Sequence, residues 1–281
     1  MALSSTPLSD VIGAKVSGLD LSRITTEQEQ QSVIDAFLAH HLLCIPGDVL
    51  TPADFTRFAA IFGEVQPQLY RHRFHPQEPL VSVMKSELTA EQLAQPGQIR
   101  VAGWHTDDSY FPEPCKATLL QAVDLPDQGG ATRFCSLTAA YEALDTEVQA
   151  RLEGLHGVHC YDTKRASARA RSRTGAEKTE TEKPAIHPIV RTHPDTGRKS
   201  LYLNFNRIDR IQELGKQESD TLLDTLFAHI DHPRFHYHHA WQRGDILMWD
   251  NRCTMHAAVP DYEPNVMRLH HRILLRGDVP I

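Results

Sequence analysis

Apolar positions recur at helical spacing early in the chain and then, past its middle, mostly in short alternating runs. Val11, Ile12, Ala14, Val16 and Leu19 read as a strand and turn within 8–22. Thr25-Thr26-Glu27-Gln28 offers a helix start with acid in its first turn, and Val33, Ile34, Phe37 and Leu38 follow on one face. Leu42-Leu43-Cys44-Ile45 is an unbroken apolar run stopped by Pro46-Gly47, the pattern of a buried strand. Thr51 then caps a helix with Pro52 at its first position. Phe55, Phe58, Ala59 and Phe62 form the buried stripe of that helix, and Gly63 ends it.

Leu80 to Met84 alternates as a strand, and Glu87 to Arg100 is polar and reads as a loop. Thr118–Val123 and Thr132–Cys135 are strands on either side of the turn Asp127-Gln128-Gly129-Gly130. Ser136 or Thr138 opens a helix through Ala139, Tyr141 and Leu144, and Val148–Leu155 is a second short one. His187–Arg191 and Ser200–Asn204 pair around the turn Pro194–Gly197. An amphipathic helix spans Ser219–Ile230, and Phe235–Trp241, Asp245–Trp249 and Arg268–Leu275 alternate as strands. There are no repeats. Helices early and mid-chain with many short strands late predict an α+β fold, one β-sandwich or jelly-roll core with flanking helices, in a single domain over 1–281.

Residues 163–183 break the pattern. Their first half is cationic, their second acidic and Thr-rich, and they hold almost no apolar residue. Such a stretch cannot bury enough surface to offset its ordering entropy, so it reads as a mobile insertion, either a surface loop or an active-site lid.

Composition narrows the function classes. A net charge of -7 argues against a nucleic-acid or membrane-surface protein. No apolar run is long enough for a membrane span, and the first ten residues lack the pattern of a signal peptide. Five widely spaced cysteines without a Cys-x-x-Cys pair suggest reduced thiols and a cytoplasmic location.

The chemistry concentrates in Trp104-His105-Thr106-Asp107-Asp108 and, far away, Trp249-Asp250-Asn251-Arg252 with His256. On an extended strand residues i and i+2 face the same side, so His105 and Asp107 can converge on one point, and Asp108 falls opposite. With His256 they make two histidines and one carboxylate, a set that leaves metal positions open and suits non-haem Fe(II). The chain has 17 histidines, so a His-x-Asp pair alone is unsurprising. Zinc with a bound water would accept the same ligands in a hydrolase, and a non-catalytic jelly-roll binding protein with incidental histidines is a third reading. Arg71, His72, Arg73 and His75 form either a solvated basic loop or an anion-capturing one near the metal.

Taken together, Ile12-Gly13-Ala14, Gly18-Leu19-Asp20-Leu21, Phe62-Gly63-Glu64, the His-x-Asp motif, Gly129-Gly130-Ala131-Thr132, Ala139–Leu144, His187–Pro194 and Trp249–Arg252 extend the likeness over nearly the whole chain. The chain resembles the taurine dioxygenase family of Fe(II)- and 2-oxoglutarate-dependent oxygenases, nearest its 2,4-dichlorophenoxyacetate dioxygenase branch. The resemblance implies a double-stranded β-helix with Fe(II) on His105, Asp107 and His256. It gives Arg268 and Thr132 the distal carboxylate of 2-oxoglutarate, and Arg272 the anionic group of a small organic substrate. Strand parity agrees: Arg268, His270 and Arg272 share one face, where an arginine needs an anion to meet it. His270 would touch substrate or simply pack. The expected reaction uses O2, converts 2-oxoglutarate to succinate and CO2, and hydroxylates the substrate, cleaving it where the product is unstable. Gln68 and Val101 replace the histidine and asparagine that taurine dioxygenase carries, so the expected substrate is not taurine but a carboxylate, another sulfonate or a sulfate ester. A homo-oligomer is left open.

Overall fold

The structure, a computed structural model, describes residues 3–21, 26–67, 71–96, 99–161, 163, 165 and 183–281. The N-terminal part runs β1 (Ser4–Pro7), β2 (Ala14–Ser17), α1 (Glu27–His40), β3 (Leu42–Ile45), α2 (Pro52–Ala60), β4 (Phe74–His75), β5 (Glu78–Glu87) and α3 (Ala90–Leu93). The middle holds β6 (Ala117–Asp124), β7 (Thr132–Ser136), α4 (Leu137–Glu142), α5 (Thr146–Leu152) and β8 (His156–His159). Then come β9 (Ala185–Pro188), β10 (Val190–Thr192), β11 (Lys199–Leu201), β12 (Ile208–Ile211) and α6 (Lys216–Ile230). The chain closes with β13 (His236–His239), β14 (Ile246–Asp250), β15 (Thr254–Ala258) and β16 (Met267–Leu275).

The caps form where the sequence asks for them. Thr26 and Glu29 close a capping box on α1, and the Thr51 side chain accepts the Asp54 amide of α2. The polar stretch after Met84 is more ordered than a loop: β5 runs on to Glu87, and α3 makes one capped turn after it. The double turn at Gly129 (φ +76°) and Gly130 (φ +69°) needs glycine twice over, because a Cβ on Gly129 would sit 2.4 Å from the Asp261 carbonyl oxygen.

A larger sheet has the order β1-β2-β3-β14-β6-β16-β5-β4, antiparallel except for the parallel β2–β3 pair. A smaller sheet, β13-β7-β15, faces it, and β12-β8-β9 and the β10–β11 ribbon complete the strands. β3 and β14 are buried throughout because both faces are covered. Leu43, Ile45, Ile246 and Met248 pack with Phe37, Phe55 and Phe58 of α1 and α2. Leu42, Cys44, Leu247 and Trp249 turn the other way and meet Phe134 of β7 between the two sheets. This two-layered β core with helices outside is the jelly roll of the sequence reading. A third apolar cluster joins α4, α5 and α6 to β15 and the buried Trp104.

Most of 163–183 lies outside the described residues, as does Gln68. At its edge Thr163 is buried and donates to Asp209 (2.9 Å), and Arg165 pairs with Asp220 and Asp224 of α6. Among the described residues no helix is long and apolar enough to cross a membrane.

Candidate active site

Trp104 sets the site's position. Its buried indole donates to Asp231 (2.8 Å) and carries the Arg133 guanidinium 4.4 Å from its centre, which fixes the next residue, His105. His105 and His256 then exchange both main-chain hydrogen bonds (3.0 and 2.8 Å), and their rings lie 4.2 Å apart. The His105 contact is a single bridge rather than a strand. The chain turns immediately after it, and Asp108 takes a left-handed φ of 56°. Asp107 therefore meets His105 and His256 through a turn, where the sequence suggested strand alternation. Asp108 stays out of the convergence by that same turn, accepting from the Tyr110 hydroxyl at 3.1 Å.

One ligand-type atom from each of His105, Asp107 and His256 falls within 4.8 Å of the others. His105 Nδ1–H donates to the Gly103 carbonyl (2.8 Å), which puts the ring's lone pair on Nε2. His256 Nε2 is 3.9 Å from Asp107 Oδ2. Burial and the neighbouring His105 push His256 down to about 3, against the pull of Asp107. Burial alone would raise Asp107, but His256, Arg272, His105 and the Thr118 hydroxyl outweigh it and hold the carboxyl at about 2. At neutral pH His256 is thus a neutral imidazole and Asp107 a carboxylate, the protonation states a divalent metal requires of such ligands.

A second layer fixes Asp107, and sequence reading missed it. The Thr118 hydroxyl donates to Asp107 Oδ2 (2.7 Å), and Asn251 Nδ2 donates to Thr118 Oγ1 (2.9 Å). Asn251 Oδ1 accepts the Trp249 indole (3.1 Å) and the Asp107 amide (3.3 Å). The Trp249–Asn251 motif thereby orients a carboxylate some 140 positions upstream, and no spacing rule could have revealed it.

Across the same cavity, of about 670 Å³, lie Arg268, His270 and Arg272 of β16, as their shared parity predicts. Arg268 Nε donates to the Gly130 carbonyl (2.9 Å) and NH2 to Thr132 Oγ1 (3.2 Å). Both acceptors are neutral, and Arg268 forms no ion pair among the described residues. Burial lowers it to about 10, so it keeps its charge at neutral pH. Arg272 has a buried Nε without a partner, and its charge acts on both Asp107 and Asp108. His270 packs edge to face on Trp241 (4.6 Å) with both ring nitrogens unpartnered. His72, Arg73 and Val101 line the cavity as well, so part of the basic stretch faces the site.

Two other groups bring ligand-type atoms together. In His41–His193–Asp250–Cys253, the Asp250 oxygens already accept from Arg252 (2.8 and 2.7 Å) and His193 (2.9 Å). His193 Nδ1 accepts the Asp195 and Thr196 amides. The carboxylate is neutralised by a guanidinium, so this is an ion-pair knot holding the turn between β14 and β15. In Cys44–His239–Asp245, burial pushes the thiol up to about 12, and Asp245 Oδ2 is taken by the Gln242 amide and His239.

The chain is similar to pentalenolactone F synthase of Streptomyces arenae, 32% identical over 277 residues covering 93% of this chain and 91% of that protein. It is 30% identical to the (S)-phenoxypropionate/alpha-ketoglutarate-dioxygenase of Sphingobium herbicidovorans, over 97% of this chain and 95% of that one. Among solved structures, AAD-2 in complex with Mn(II) and N-oxalylglycine superposes with a TM-score of 0.82 at 31% identity, covering 100% of this chain and 99% of that one. The family model for taurine catabolism dioxygenase TauD, TfdA matches residues 4–276, and the chain belongs to that family of dioxygenases dependent on Fe(II), 2-oxoglutarate and O2.

Proposed function

We propose that His105, Asp107 and His256 hold the Fe(II), that Arg268 and Thr132 anchor the distal carboxylate of 2-oxoglutarate, and that Arg272 receives the anionic group of a small organic substrate. The observation that carries this reading is Arg268. A half-buried guanidinium whose hydrogen bonds all go to neutral acceptors, in one cavity with a two-histidine, one-carboxylate set, is a site for a ligand carboxylate. When bound, the metal and cosubstrate would supply the oxidation with O2: one oxygen atom goes into succinate as 2-oxoglutarate loses CO2, and the other hydroxylates the substrate. The chain supplies geometry. Thr118 and Asn251 orient the Asp107 carboxylate, and Trp249 and Phe134 wall His256. Phe74, Met84 and Val259 give the cavity an apolar lining that excludes water. Family membership leaves the zinc-hydrolase and non-catalytic readings without support.

The substrate proposed is an organic acid with an apolar body, a class to which phenoxypropionate belongs. Val101 puts a hydrocarbon on the cavity wall, which speaks against taurine. We place His270 in the wall, held by Trp241, rather than in contact with the anion. Five free cysteines, four of them buried, fit a reducing cytoplasm.

The test is a titration of the metal-loaded protein with 2-oxoglutarate in the absence of oxygen. Arg268→Ala should weaken binding about 30-fold or more, the usual cost of truncating one side of a buried charge pair. Unchanged affinity would refute the assignment. Arg272→Ala should leave 2-oxoglutarate binding unchanged and raise KM for the organic acid about tenfold or more. Equal losses for both ligands would contradict the division between the two arginines.

A further inference from the structure

We propose that Tyr262, oriented by Ser86, is a further contact on the distal carboxylate of 2-oxoglutarate and selects for that carboxylate. This rests on Arg268 being the cosubstrate anchor. Ser86 stands opposite Arg268 in the β5–β16 pairing, and its Oγ lies 2.7 Å from the Tyr262 hydroxyl oxygen. Tyr262, Ser86, Arg268 and Thr132 line the same cavity, and Tyr262 is only 7% exposed.

The hydrogen count leaves a donor over. Two hydroxyls carry two hydrogens, and the bond between them uses one. With Ser86 donating to the phenol oxygen, the Tyr262 hydrogen is left for an outside acceptor. Thr132 Oγ1 is in a similar position. It accepts from Arg268 (3.2 Å) and from the Trp241 indole (3.0 Å), so its own hydrogen is free for a ligand. A carboxylate offers about four lone-pair sites. A guanidinium and two hydroxyls converging on it satisfy more of them than Arg268 and Thr132 alone. One turn places both hydroxyls: the Gly130 amide donates to Asp261 (2.7 Å), next to Tyr262, and Gly130 is two residues before Thr132. The close approach at Gly129 locks the two segments together.

The experiment compares two ligands on Mn(II)-loaded protein by calorimetry: 2-oxoglutarate, and 2-oxobutanoate, which lacks the distal carboxylate. Tyr262→Phe should weaken 2-oxoglutarate about tenfold, the cost of one hydrogen bond to a charged group, and leave 2-oxobutanoate within about twofold. Ser86→Ala removes only the orienting partner and should weaken 2-oxoglutarate less. Parental affinity in Tyr262→Phe, equal weakening of both ligands, or a larger loss in Ser86→Ala would each overturn the proposal while leaving Arg268 standing. A parent protein that binds both ligands equally would overturn the reading of Arg268, and this inference with it.

Discussion

Replacing His105 by alanine should abolish succinate release and weaken divalent-metal binding by more than the roughly 10- to 100-fold that loss of an outer-layer partner costs. The substitution takes a ligand-type atom from the three-residue set and leaves a histidine and a carboxylate. The fold should survive. The contacts that pair this segment with His256 are main-chain bonds, and Trp104 keeps its anchor on Asp231. His105 itself is only half-buried. Loss of activity should therefore come with a thermal midpoint within a few degrees of the parent. Mn(II) calorimetry, an oxygen-free Fe(II) titration and a melting curve on one preparation separate the outcomes. A variant that binds metal as the parent does would remove His105 from the ligand set. A variant that loses metal and also unfolds would mean that the residue is structural.

The elements most legible in the sequence are those whose signal is local. Thr26, Thr51 and Pro52 fix helix starts through bonds made within a few residues, so sequence alone locates α1 and α2. The run Leu42–Ile45 is buried on both faces and carries no polar alternation to mislead. β15 is different. Thr-Met-His-Ala-Ala is weak as a strand and forms because β7 pairs with it, His256 opposite Phe134. β8 and β12 likewise owe their form to partners far away in the chain. The meeting of His105, Asp107 and His256 is legible in residue types and the distant motif, and its route is not. His105 and Asp107 converge through a bridge and a turn, which alternation along a strand does not describe. The Asn251–Thr118–Asp107 chain could not be foreseen, because each link joins segments that meet only after folding. Arg268 and Arg272 are the opposite case: one strand carries both in unbroken register with β5, so parity suffices.

Lowering the pH from 7 to 5.5 should destabilise the metal-free protein by roughly 4–5 kcal/mol, and histidines rather than carboxylates should be the cause. His41, His159, His187 and His270 are all buried, and each has at least one ring nitrogen without a partner. Burial pushes His41 and His187 down to about 4, and His159 and His270 well below the ordinary value. The sign follows from linkage. Unfolding releases each ring to its ordinary pKa of about 6.5, so below that pH the unfolded chain binds protons that the folded chain refuses. Stability is intact above about 6.5 and falls as pH drops towards 4, at roughly 1 kcal/mol per histidine over the first unit and a half. Asp107 and Asp250, held low by their partners, add acid sensitivity only below the ordinary carboxylate range. Against a typical stability of about 5–15 kcal/mol, the loss is large, and the thermal midpoint should fall by roughly 10 °C. Melting curves in a buffer series from pH 8 to 5 measure it. His270→Phe keeps a ring against Trp241 and removes one titrating group, so it should make the slope shallower. A midpoint flat between pH 7 and 5 would mean that these rings take up protons in the folded state, and that the buried histidine layer is not the source of acid sensitivity.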